Sequence, residues 1–588
     1  MKSFLKYTLA TLLGLFLFSI LSSLFFFGIL GIMMSSREKP VTVKPHSVLY
    51  YKLRAFVPER TLSFPLFGSN PFSFDMTPAP GLNDILADIH KAKEDDNITG
   101  IYIEAGMSSP GIGTIEEIRN ALLDFKQSGK FVLVYCPDLM LQSAYYLATA
   151  ADTIYLNPAG AFQFTGMRSE IMYYKKALEK IGVEVQVVKH GKFKSAVEPF
   201  IRKNMSPENR EQIRIYMNSI WNHILKKISV ARGITVQQLN DLADRLAIDS
   251  PEAAVKYKLI DGVRYKDQVL DELKEKSGYS GKNVRFISLS KYTKVPARKH
   301  GSYSKNKVAV IYAFGDIVMG AGNETNIGDK RFAKAIRKAR LDTNVKAIVL
   351  RVNSPGGSAL ASDIIWREVK LAHQVKPVVA SMGNYAASGG YYILSSADTI
   401  FTHPVTLTGS IGVFGLIPNA GKLLEDKLGI TFDVEKTNKY ADFGSIYRPL
   451  SSGEKAFLSV QIENTYKTFV NHVSQGRHLR ASYVDSIGQG RVWSGINAVE
   501  NGLADTFGGL YDAINAAAQM AHLDNYRTIT LPVVEDPYQK LIKQLTGDVR
   551  MRTIPHELRG LYQTWKVIMD TKNRIPVMTR LPYEINVY

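Results

Sequence analysis

The chain of 588 residues contains one cysteine, Cys136. A single thiol excludes an intrachain disulfide framework and any zinc module built on clustered cysteines. Acidic residues are scarce: 54 Asp and Glu against 73 Lys and Arg leave a formal net charge of +19. That balance suits an anionic membrane surface or a nucleic acid, and charge alone does not choose between them. No recognised nucleic-acid-binding motif accompanies it, so no nucleic-acid partner is expected. Long apolar runs are also few, since only one is visible, which excludes a multi-span membrane protein. Hydrophobic content of 45% and charged content of 22% are those of ordinary globular chains and exclude a wholly disordered or collagen-like one. At ~150 residues per domain the length allows about four domains.

The one apolar run lies at the start. No charged residue occurs from Tyr7 to Ser36, and the apolar core extends from Leu9 to Met34. A bilayer span needs ~20 mostly apolar residues, so the run is long enough even when tilted. A cleavable signal peptide has a shorter apolar region, ~7–15 residues, and leaves through a small-x-small site. Here the exit is Ser35-Ser36-Arg37, and an uncleaved transmembrane signal anchor over residues 1–36 is expected. Lys2, Lys6 and the terminal amine mark the inner side, with Arg37, Lys39 and Lys44 as a weak counterweight. This orientation places the rest of the chain outside the cytoplasm.

Beyond His46 the chain repeats itself. Ala151-Asp152-Thr153-Ile154-Tyr155 with Pro158 matches Ala397-Asp398-Thr399-Ile400-Phe401 with Pro404, at an offset of 246 residues. Ala144-Tyr145-Tyr146 matches Gly390-Tyr391-Tyr392 at the same offset. A period of this length marks a duplicated domain. The expected organisation is a front half, 46–290, a basic link, 291–307, a rear half, 308–524, and a tail, 525–588, with one apolar-basic helical stretch at Leu558–Met569. In the rear half Val308–Ala313, Ala347–Val352 and Pro377–Ser381 read as strands. Arg331–Leu341 and Ser362–Ala372 read as helices, the first from the 3.6-residue spacing of Phe332, Ala335, Ile336 and Ala339. Strands separated by helices predict parallel α/β layers in both halves.

Two features of the rear half fit acyl transfer. Ser388 stands where a strand gives way to a helix opening on Gly389-Gly390, and a helix N-terminus favours developing negative charge. Ser354-Pro355-Gly356-Gly357 ends the preceding strand with glycine amides able to face a cleft. One backbone donor from each loop would form an oxyanion hole, each worth ~3–4 kcal/mol to the transition state. As glycine turns beside tight helix–sheet packing, both motifs also have a purely structural reading. A serine nucleophile needs a base. Of the 11 histidines, His373 and His403 are nearest Ser388 in sequence, and neither has a carboxylate at suggestive spacing. Lysine is the alternative, provided that burial lowers its pKa from ~10.4 towards ~7–8. The position in the front half equivalent to Ser388 is Gln142, so that half lacks the nucleophile, while the rear-half position equivalent to Lys194 is Tyr440. On residue type alone Lys194 belongs on the surface. Cys136, at the end of an expected strand, reads as a packing residue.

The runs GKFKSAVEPF at 191–200, VNSPGG at 352–357, SMGNYAASGGYY at 381–392 and LTGSIGVFG at 407–415 together resemble the long form of the signal peptide peptidase A family. These are membrane-anchored serine peptidases with a ClpP/crotonase-like fold. The resemblance covers nearly the whole chain and implies two tandem ClpP/crotonase-like repeats behind an N-terminal transmembrane helix. It also implies a Ser–Lys dyad, with Ser388 as nucleophile, Lys194 as general base and Ser410 orienting the lysine. Gly357 and Gly389 would supply the oxyanion-hole amides, and neither a cofactor nor a metal is implied. The implied substrates are cleaved signal peptides and other apolar peptides. The implied partners are the lipid bilayer and a homotetramer, at the inner (cytoplasmic) membrane with a single pass and the catalytic part on the periplasmic side. The alternatives are a crotonase-type acyl-CoA enzyme, which shares the fold and an oxyanion hole, and a non-catalytic membrane scaffold with degenerate halves.

Overall fold

Apolar strand runs such as Ala347–Leu350 and Val308–Ala313 can be buried on both faces only if helices cover both sides of a parallel sheet. The computed structural model, which describes residues 2–35, 41–62, 80–296, 304–534 and 577–580, contains two such sheets with one strand order. In the front half the order is Gly262–Val263, Thr153–Leu156, Phe131–Cys136, Ile98–Glu104, Ser47–Lys52, Arg285–Ser288, all parallel. The rear half repeats it with Thr506–Phe507, Thr399–Thr402, Val378–Ala387, Val345–Ser354, Lys307–Phe314 and Arg527–Leu531. The sequence duplication is thus a duplication of topology. The helices follow suit: Pro207–Arg232 and Ser452–Arg477 are both 26 residues long.

Expected and observed elements of the rear half coincide in kind, and the observed ones are longer. The helix over Arg331–Leu341 begins at Asp329 and buries Phe332, Ala335, Ile336 and Ala339. The strand expected at Pro377–Ser381 continues through Gly383 and Asn384 to Ala387. Glycine and asparagine read as breakers, but here the strand exchanges partners: its first part pairs with Thr399–Phe401 and its last residues, Tyr385–Ala387, with Leu407–Gly409. That extension carries the chain to Ser388. The rear sheet also takes in Arg527–Leu531, beyond the boundary expected at 524. The expected helical stretch at Leu558–Met569 lies outside the described residues.

A third sheet joins the halves. Its order is Asn326–Gly328, Asp316–Val318, Gly356–Ser358, Val577–Arg580, Val413–Asn419, Glu184–His190. The last pair is antiparallel, from Val413 opposite His190 to Asn419 opposite Glu184, and it fastens a front-half strand to the rear half. A buried ionic cluster fastens them a second time. Arg351 of the rear half contacts Glu59 at 2.7 Å and Glu117 at 2.6 Å, both from the front half. Asn353 donates to Glu59 at 2.6 Å.

Lys2–Ser35 form one helix of 34 residues. Its described side chains, among them Leu12, Phe16, Phe18 and Leu21, are exposed. Among the fully described residues no helix is long and apolar enough to cross a membrane, residues 10–22 being the longest such stretch of this one. The expected single span is therefore a reading of the sequence, not of the structure.

Candidate active site

Ser388 caps the helix Gly389–Leu394 with φ 56 and ψ −116, a left-handed backbone costing on the order of 1–3 kcal/mol for a residue with a Cβ. Bonds on both sides hold it there: its N–H donates to Gly409 O at 2.8 Å and its C=O accepts from Tyr392 N at 2.8 Å. Gly390 is required by close approach, because a Cβ there would lie 2.6 Å from Ser354 O. The helix so packed rests on the strand Gly356–Ser358. Gly389 is its first residue, and Gly357 lies in that strand.

Lys194 reaches this point from the front half. It directly follows the segment after the strand Glu184–His190 and precedes a short turn, Ser195–Val197. Far from lying on the surface, it is completely buried, as are Ser388 and Ser410. Neighbouring Lys192 is exposed, which separates the two lysines that spacing alone could not. Lys194 Nζ lies 2.7 Å from Ser388 Oγ, 3.0 Å from Ser410 Oγ and 3.2 Å from Ser410 O. Burial pushes its pKa well below the ordinary lysine value of 10.5, with no carboxylate acting against it. The three neighbours match a neutral amine. The Ser410 carbonyl can only accept, the Ser410 hydroxyl can accept, and the remaining lone pair faces the Ser388 hydroxyl.

The rear half moulds the cradle of the lysine. Gly490, at φ 84, passes so close that a Cβ would sit 2.6 Å from Lys194 Cα. Phe193 N donates to Gln489 O at 3.0 Å, and Ser410, itself at φ 51, donates its N–H to Arg491 O at 2.6 Å. Sequence reasoning missed Gln212, which is fully buried. Its Nε2 donates to Phe193 O at 3.1 Å and Ser195 Oγ at 2.9 Å, and its Oε1 accepts from Val492 N at 3.0 Å. One amide thus braces the lysine segment from both sides and ties it to the rear half. A polar residue at a core-facing position of the helix Pro207–Arg232 was the available signal.

The other candidates are engaged elsewhere. His373 is partly exposed and pairs with Asp398 at 2.8 Å, while His403 is buried against Glu117 at 3.0 Å. Both have carboxylate partners in space that their spacing did not reveal. Cys136 is buried and its thiol is pushed up to about 12, mainly by that burial. Gln142, the counterpart of Ser388, bonds to Thr165 and Gly166 of its own half.

The model of Peptidase family S49 matches residues 124–280 and 370–524. Protease 4 of Salmonella typhi is 39% identical over 82% of this chain and 79% of its own length. Protease 4 of Haemophilus influenzae is 35% identical over 75% of this chain and 73% of its own. The chloroplastic serine protease SPPA of Arabidopsis thaliana is 33% identical over 82% of this chain and 71% of its own. Among solved structures, a ClpP1 mutant from Listeria monocytogenes aligns over 35% of this chain and 94% of its own, with 14% identity and a TM-score of 0.24.

Proposed function

Since the chain belongs to peptidase family S49 and is a serine peptidase of the signal peptide peptidase type, we propose that Ser388 is its nucleophile and Lys194 its general base. The observation that carries this reading is the 2.7 Å approach of Lys194 Nζ to Ser388 Oγ inside a buried pocket. Neutral Lys194 takes the Ser388 proton as the oxygen attacks a peptide carbonyl. Ser410 holds the amine so that its lone pair stays directed at the hydroxyl. The Gly357 and Gly389 amides receive the oxyanion, the lysinium protonates the leaving amine, and water then releases the acyl group. Neither a metal nor a cofactor takes part. Family membership favours peptide hydrolysis over the acyl-CoA and scaffold alternatives.

The substrates are cleaved signal peptides and other apolar peptides held beside the bilayer. The charge-free run from Tyr7 to Ser36 and the exposed apolar side chains of its helix support a single-pass anchor in the inner membrane, with the peptidase on the periplasmic side. The working form is a homotetramer. The test is hydrolysis of a fluorogenic apolar peptide together with labelling by a fluorophosphonate. Ser388→Ala is expected to lose both while the protein still folds; retained turnover in that variant refutes the assignment.

A further inference from the structure

The third sheet contains a strand from the far end of the chain. Val577–Arg580 lies between Gly356–Ser358 and Val413–Asn419 and runs antiparallel to both. Gly356 stands opposite Arg580, Gly357 opposite Thr579 and Ser358 opposite Met578 on one side. On the other, Phe414 stands opposite Met578 and Gly415 opposite Val577. Without this strand the sheet would part into two edges one strand-width apart. One edge carries Gly357, assigned above to the oxyanion hole. The other begins at Val413, three residues after Ser410. The gap between them therefore opens onto the nucleophile.

A slot walled by two strand edges binds an extended chain through main-chain hydrogen bonds, largely whatever its side chains. Any extended peptide offering a carbonyl to Ser388 must run beside Gly357 and so needs the place that Val577–Arg580 holds. The direction also fits a substrate. Antiparallel to Gly356–Ser358, the strand heads past Arg580 towards the Ser354–Gly356 end of that edge, where Ser354 O faces Gly390. Tethering makes such an occupant a strong competitor, because a segment of the same chain acts at an effective concentration near the millimolar range. From this placement we infer that residues 577–580 are an intramolecular pseudosubstrate: they fill the peptide slot of the resting enzyme and must leave before a substrate can bind. The inference rests on the proposed site.

The test uses the full-length protein carrying Met578→Pro and Thr579→Pro together, which removes two ladder N–H groups without touching the proposed dyad. Hydrolysis of a fluorogenic apolar peptide is expected to show KM lowered at least fivefold with kcat at saturation unchanged, and fluorophosphonate labelling is expected to speed up. An unchanged or raised KM in a folded variant overturns the inference. A second measurement covers a variant that fails to fold. In otherwise native Ser388→Ala protein, amide hydrogen exchange at 577–580 should accelerate when the uncleaved peptide is added to saturation; unaltered protection overturns the inference as well. The two readings fail separately. Turnover by Ser388→Ala refutes the nucleophile, whereas loss of turnover combined with an unaffected KM and unaltered exchange refutes only the pseudosubstrate.

Discussion

Replacing Lys194 by methionine keeps most of the side-chain volume and removes the amine. In the folded protein burial lowers the pKa of this amine well below 10.5, while in the unfolded chain it returns to ~10.4. Between those two values the unfolded state holds one more proton than the folded state. Wild-type stability therefore rises with pH by about 1.4 kcal/mol per unit across that window. The penalty is greatest below the folded-state pKa, where the amine must be charged while buried, and it vanishes above the unfolded value. Lys194→Met has no such penalty. Losing the bonds to Ser410 costs it roughly 0.5–1.5 kcal/mol each, a pH-independent offset that moves its curve without tilting it. Denaturant unfolding of both proteins across a pH series measures the difference directly. The advantage of the variant should shrink as pH rises, at about 1.4 kcal/mol per unit, and its peptidase activity should be absent throughout. Parallel stability curves would refute the argument, because they require a lysine that titrates alike in both states. The acidic limb of wild-type kcat/KM should follow the same group, rising tenfold per pH unit up to the folded-state pKa.

Three further outcomes follow from the geometry. Ser410→Ala should lower kcat about 10- to 100-fold, in the range of general acid–base contributions, and leave KM nearly unchanged in steady-state assays, because the lysine keeps its bond to the Ser410 carbonyl. Gln212→Leu leaves the Val492 N–H and the Phe193 C=O without this amide, at roughly 1–3 kcal/mol each. It should reduce kcat and displace the acidic limb of the pH–rate profile, whereas Gln212→Glu, which restores an acceptor for Val492 N, should recover part of the rate. Arg351→Met strands two buried carboxylates and should destabilise the protein by about 3–5 kcal/mol, read by thermal unfolding. In wild type, burial tends to raise the Glu117 pKa, but the charges of Arg351 and His403 outweigh it and hold the carboxyl at about 2. Its stabilising contribution is therefore complete above the unfolded value near ~4.3 and is lost as pH falls from there towards the folded value.

What the sequence disclosed and what it withheld have physical causes. The duplication was visible because both halves kept the same strand-end motif, Ala-Asp-Thr-Ile followed by an aromatic residue, and the sheets carry those strands in equivalent places. Ser388 at the opening of a helix was legible from local signals, glycines after an apolar strand. The burial of Lys194 was not. Nothing in Phe193-Lys194-Ser195 distinguishes it from a surface lysine, since the walls that bury it come from Ser410, Gly412 and Gly490, more than 200 residues along the chain. Its role came from family resemblance, and its environment came from the fold. The pairings of His403 and Arg351 with Glu117 escaped for the same reason, as each joins residues of opposite halves. The strand at 577–580 escaped too, because four residues near a chain end have no periodicity to read.

The lysine and the serine belong to one polypeptide and stand 194 positions apart, with the last wall of the pocket contributed by Gly490. A ribosome making this protein therefore exports the amine long before the alcohol and completes their enclosure later still. A nascent or prematurely terminated chain lacks a hydrolytic centre, so proteolytic power is withheld until translation is almost finished, with no separate propeptide needed to delay it.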